Sequence, residues 1–237
     1  MTRSVTKRES RGFTLMETVI AIGVLAVLVT AFLAVFGPAT QGIRRSINVQ
    51  DADRLVATLE KEMSILRSGG TGGTGVTTAF DKAFEWIRDA GKDELIMLYQ
   101  YRGDPDDIRA DGTMVPYESR DGVAGQDYVV QSMARMRRDS LFLDDLEGLQ
   151  GRVFAVRTQQ LVFEGGELGP GTEGEIRGMN SGGSAATAAD YPDAVIAFSA
   201  KFYALAANSE PFLKPGGQLT IENLGKPVFT RNLGVRR

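Results

Sequence analysis

Glu17 is the residue whose setting most invites chemistry. It stands directly before Val19–Phe36, an uncharged run of 18 residues in which only Gly23 and Thr30 are not hydrophobic. A carboxylate at the edge of a bilayer or inside it costs on the order of 2 to 3 kcal/mol and is usually paired. Its plainer use is a capping box, Thr14-x-x-Glu17, in which the acid also suits the helix dipole. Asp104, Asp106, Asp107 and Asp111 could offer oxygen ligands to calcium. Their spacing departs from the EF-hand loop, with Arg109 where Gly belongs and Val115 where the bidentate Glu belongs, so a solvated turn around Pro105 is expected. Asp144, Asp145 and Glu147 raise the same question, and an exposed loop is expected there too. Arg135, Arg137 and Arg138 form either a basic spot for a partner or one exposed strand end. No cofactor is required by any of these clusters.

Two absences narrow the chemistry. The chain has no His and no Cys. A Ser-His-Asp triad, a Cys-His pair and His-bound zinc are therefore excluded, and so is lipid attachment through cysteine. Catalysis would have to rest on carboxylates, Lys, Tyr or Ser alone. Paired carboxylates of glycosidase type stay open, since their separation is a tertiary property. Ser4-Val-Thr-Lys7 matches S-x-x-K but lies in the basic leader. Gly70, Gly72 and Gly75 make a G-x-G-x-x-G string, yet a predicted helix precedes it where a dinucleotide fold needs a strand, so it reads as a linker.

The elements that must position Glu17 begin with a leader, Met1–Gly12. Arg3, Lys7, Arg8 and Arg11 against Glu9 give it a net charge of +3. Positive charge beside an apolar run holds that end in the cytoplasm and sends the bulk of the chain across. As a helix, Val19–Phe36 would rise roughly 27 Å, close to the hydrocarbon thickness of about 30 Å. Gly37-Pro38 is expected to kink or locally break the helix. Beyond it, Ile43, Ile47, Ala52, Leu55, Leu59, Met63 and Leu66 recur at helical spacing up to Arg67. Arg44, Arg45, Asp51, Asp53, Arg54, Glu60, Lys61 and Glu62 occupy the opposite, polar face. A general secretory signal peptide fits poorly: the core is too long and Ala34-Val-Phe36 is no small-x-small cleavage site. A plain single-span anchor obeys the same physics of insertion.

The string Arg11-Gly12-Phe13-Thr14-Leu15-Met16-Glu17, followed by the apolar run, resembles the class III signal of type IV pilins and of the pseudopilins of type II secretion. The resemblance covers roughly residues 8–67. It implies cleavage between Gly12 and Phe13 by prepilin peptidase and methylation of the new N-terminus. It implies that Glu17 meets the Phe13 amine of a neighbouring subunit during assembly. It further implies residence in the bacterial inner membrane with the C-terminal domain outside the cytoplasm, an assembly platform, and incorporation with other pilin or pseudopilin subunits. A minor pilin or pseudopilin is favoured over the main fibre protein. Many pilins carry a C-terminal disulfide, from which this chain departs. A tethered periplasmic binding domain that never assembles is the alternative, and a carboxylate-based hydrolase a distant third.

Removing the leader takes four of 27 basic and one of 30 acidic residues, leaving a net charge of −6. That balance argues against nucleic acid as principal partner. The expected organisation is a leader at 1–12, an assembly helix at 13–38, its amphipathic continuation at 39–67, a Gly-rich linker at 68–76 and a globular domain at 77–237. A short helix is expected over Thr78–Ala90, with Phe80, Ala83, Phe84 and Ile87 on one stripe before Gly91. Strands are expected at Glu94–Tyr101, Asp127–Met133, Val153–Phe163 and Ala194–Leu205, with short ones at Gln218–Glu222 and Val228–Arg231. Both alternating sets in Val153–Gln160 carry apolar residues, so its register stays open. Gly165–Asp190 reads as a mobile surface loop. The fold class is α+β: an antiparallel sheet packed on the second half of a long N-terminal helix.

Overall fold

The computed structural model describes residues 14–68, 76–119, 121–179, 183–205 and 208–237; within the first helix, the backbone alone is described at 37–39, 41, 44, 45 and 48. The leader with Arg3, Lys7, Arg8 and Arg11, the pair Gly12-Phe13 and most of the Gly-rich linker lie outside the described residues. The chain divides into two units, residues 1–47 and 48–237.

Helix α1 is Leu15–Ser64. It passes through Gly37-Pro38 without the expected break, because one missing donor interrupts the i to i−4 ladder at a single bond and leaves its neighbours intact. It ends at Ser64, short of Arg67, and Leu66 is exposed. In the first unit, the residues of Leu15–Phe36 are exposed.

The second unit is the α+β domain. Helix α2 (Ala79–Lys92) starts at Thr78, whose hydroxyl accepts from the Asp81 N–H while the Asp81 carboxylate accepts back, a full capping box. Gly91 lies inside this helix and not beyond its end: a Cβ there would come within 2.8 Å of the Gly174 nitrogen and the Thr158 carbonyl, so close packing selects it. The strands are β1 (Ile96–Ile108), β2 (Met114–Pro116), β3 (Val129–Met136), β4 (Leu149–Glu164), β5 (Glu167–Pro170), β6 (Val195–Ala204) and β7 (Phe229–Arg236). Between β3 and β4 lie α3 (Ser140–Asp145) and a 3-10 turn; between β6 and β7 lies α4 (Glu210–Leu213). The sheet is antiparallel, in the order β2-β1-β4-β6-β7, with β3 on β1 and β5 on β4.

Both faces of the sheet are covered. On one, Leu55, Leu59 and Met63 of α1 and Phe84 and Ile87 of α2 pack with Phe154, Val156, Phe198 and Phe202. On the other, Met97, Tyr99, Val153 and Ala155 pack with Phe142 of α3 and Leu213 and Leu219 of the C-terminal segment. This is why Val153–Val156 shows no single apolar phase: its two sets feed two cores. Several expectations are corrected. Gln218–Glu222 is not a strand, because Leu219 turns inward to plug the second core. Pro105 sits within β1, at a register shift against β2, and not in a turn. Gly165–Asp190 is pinned on its described residues: Glu167–Pro170 pairs with β4, Ile176, Ala185 and Ala188 are buried, and the Gln160 amide clamps Arg177 at both backbone groups.

Candidate functional site

At the start of α1, the Glu17 N–H donates to Thr14 Oγ1 at 3.3 Å and to the Thr14 carbonyl at 3.1 Å. Thr14 thus supplies its half of the expected cap, and Glu17 lies in the first turn, where the helix dipole favours an acid. From Leu15 to Phe36 the helix is 22 residues long and apolar enough to cross a membrane. Its rise is about 33 Å at 1.5 Å per residue. Such an all-round apolar surface is compatible with lipid or with other helices, not with water. The exposed position of Glu17 keeps its carboxylate available to a group outside this chain.

The four aspartates considered for calcium do not converge. Asp104 Oδ1 accepts from the Asp106 backbone at 2.9 Å, while Asp111 accepts from Thr113 and from the Arg135 guanidinium at 3.0 Å. Among the described residues no group of three or more acidic side chains is placed to hold a metal ion.

What sequence reasoning missed is a buried ion network centred on Arg135. This residue, expected at a basic surface spot, is 4% exposed. Its Nε donates to Asp145 Oδ2 at 3.1 Å, one terminal nitrogen to Asp139 at 3.2 Å and the other to Asp111. Asp145, expected in an exposed loop, is 0% exposed and also accepts from Arg109 Nη1 at 2.5 Å and from the Tyr99 hydroxyl at 2.5 Å. Its neighbour Asp144 does stay at the surface. Arg67 donates to the Asp111 carbonyl at 3.2 Å and to both oxygens of Glu62, whose second cation is Lys82 at 3.8 Å. Glu62 was expected on the polar face of α1 but is 3% exposed. Among the described residues four cations and four largely buried carboxylates are joined, a formally neutral set, with the exposed Asp144 3.9 Å from Arg109 at its edge.

Burial pushes the Asp145 carboxyl up, against the pull of Arg135, the Tyr99 hydroxyl and Arg109. Burial also raises the Tyr99 phenol, keeping it a hydrogen-bond donor. At Asp111 burial raises, but hydrogen bonds from Thr113 and Arg135 win and hold the carboxyl below its ordinary range. Lys82 is lowered to about 8 by burial, only partly offset by Glu62. Chemically the cluster is suited to fixing geometry: it ties the last turn of α1 to α2, to the β1–β2 turn, to β3 and to α3. The signal available in the sequence was the charge itself, Arg135 standing inside the apolar string Met133-Ala134-Arg135-Met136 of a strand. The other two arginines are also engaged. Arg137 donates to the carbonyls of Leu213 and Leu219, and Arg138 pairs with Asp89 at 2.8 Å.

Residues 7–33 match the family model described as the prokaryotic N-terminal methylation motif, which is the class III prepilin signal of type IV pilin-like proteins. No curated protein and no solved structure matches the chain. The match spans the Gly12-Phe13 pair, Glu17 and most of the apolar helix. It is the signal of a pilin-like protein processed by prepilin peptidase.

Proposed function

We propose that this chain is a structural subunit, a minor pilin or pseudopilin, cut between Gly12 and Phe13 and assembled through α1 into a type IV pilus or a secretion pseudopilus. The observation that carries the reading is the methylation motif laid over a helix long and apolar enough to span a bilayer. In this reading the leader 1–12 is lost and residues 13–38 are stored in the inner membrane. The domain faces away from the cytoplasm because Arg3, Lys7, Arg8 and Arg11 hold the N-terminus inside. The freed amine of Phe13, four residues before Glu17 in the chain, then gives each subunit an amine and an acid to exchange with its neighbour. A carboxylate in the membrane is costly alone and satisfied when paired, so pairing across subunits selects the correct register.

N-terminal mass spectrometry of the protein from its native membrane tests this. The expected mature chain begins at methylated Phe13. A chain that still carries Met1–Gly12 would reduce the protein to a tethered periplasmic domain. Replacing Gly12 by Trp should leave the longer precursor on a gel. Glu17→Ala should be cut normally yet enter filaments poorly, and normal incorporation would count against the pairing.

A further inference from the structure

Helix α1 has a defined start. Thr14 stands outside it, Leu15 is its first residue, and the Thr18 N–H donates to the Thr14 carbonyl at 3.2 Å. The Glu17 N–H, one of the donors that a helix start leaves without an intrahelical partner, is taken by Thr14 Oγ1 at 3.3 Å. That is the bond from an N-cap side chain to the third helical residue, with Leu15 first and Glu17 third. The Thr18 hydroxyl adds a bond to the Thr14 carbonyl at 3.1 Å.

A cap of this kind is also a stop. Its hydroxyl reaches the Glu17 N–H only while Thr14 keeps a non-helical backbone, so a helix that ran through Thr14 would lose the bond. What precedes the stop gives it a use. The Gly12-Phe13 pair comes directly before Thr14, within the matched motif. Ser10, one turn upstream, is the rival cap by residue type. A helix begun there would engage the Gly12 carbonyl as acceptor for the Met16 N–H. A peptide bond held in such a ladder is a poor substrate, because peptidases cut chain that is exposed and free of regular structure.

We propose that Thr14 is a positioning residue for processing: its hydroxyl fixes the start of α1 at Leu15 and so keeps the Gly12-Phe13 bond out of the helix and open to prepilin peptidase, a role that rests on that bond being the cut. Thr14 acts through the backbone and takes no part in the chemistry.

The test is cleavage of the full precursor in detergent by purified prepilin peptidase, with kcat and KM measured separately. Thr14→Val keeps the shape and β-branching of threonine, so helix propensity hardly changes and only the cap is lost. Its kcat/KM should fall about fivefold, the factor that corresponds to a typical cap. Thr14→Asn differs in shape yet caps at least as well, and should be cut at the wild-type rate, as should Thr14→Ser. In uncut Thr14→Val, hydrogen exchange at the Met16 amide should slow, since that N–H then bonds to the Gly12 carbonyl; simple fraying would quicken it. An uncut wild type would sink the processing reading and the role of Thr14 together. A wild type that is cut, beside a Val variant cut as fast or faster, an Asn variant as slow as Val, or quickened exchange at Met16, would overturn the role of Thr14 alone.

Discussion

Asp145→Asn is the perturbation that most directly tests the ion network. The carboxylate is 0% exposed and receives Arg135 Nε at 3.1 Å, Arg109 Nη1 at 2.5 Å and the Tyr99 hydroxyl at 2.5 Å. An amide is nearly isosteric but removes one charge and turns an NH2 toward a donor, so a formally neutral cluster becomes +1 in a dry site. Removing one partner of a buried pair costs about 3 to 5 kcal/mol. Asn keeps one acceptor oxygen, which places the expectation near about 3 kcal/mol, a large part of the 5 to 15 kcal/mol typical of a whole domain. With a urea slope of roughly 2 kcal/mol per molar, the midpoint should fall by about 1.5 M. Asp144→Asn is the internal control. Its side chain is 59% exposed and 3.9 Å from Arg109, so its loss should cost under about 0.5 kcal/mol. The assay is urea unfolding of the detergent-solubilised chain followed by fluorescence. Trp86 is the single Trp and is 3% exposed, so its emission reports the state of the α2 core. An Asp145→Asn midpoint within error of the wild type, or equal effects of the two substitutions, would refute the claim that this network fixes the domain.

Thr78→Ala deletes the hydroxyl that accepts from the Asp81 N–H at 3.1 Å, and should lower stability by about 1 kcal/mol in the same assay. Lys82 offers a pH test with a defined sign. Its amine titrates at about 8, below its ordinary 10.5, because burial penalises the ammonium; Glu62, Arg67 and Arg135 are the charges that face it. Between these values the unfolded chain binds more protons, so this group makes the fold more stable as pH rises from 8 toward 10. The stability of the wild type relative to Lys82→Met should therefore rise by about 2 kcal/mol between pH 7 and pH 10. A flat difference over that range would show that the ammonium is not penalised in the fold.

The methylation motif and the apolar helix were legible because they are written in local rules. A Gly-Phe pair, one acid and an uninterrupted apolar run are each recognised from their immediate neighbours, and none needs a distant residue to be read. The stripe Leu55, Leu59 and Met63, the short helix beginning near Thr78 and five of the seven strands, β7 only in its first residues, were visible for the same reason, since helical and strand periods are local. What failed were assignments that assumed charge means surface. Arg135, Asp145 and Glu62 look solvated one at a time, and become buried only because β3, α3 and the end of α1 meet and neutralise one another. The burial of both sheet faces likewise erased the alternation in Val153–Val156 and drew Leu219 out of its expected strand. Sequence alone determined that a helix long and apolar enough to cross a membrane stands near the N-terminus and that an α+β domain with an antiparallel sheet follows. Which carboxylates lose water is set by contacts between residues far apart in the chain, so only the tertiary structure decided it.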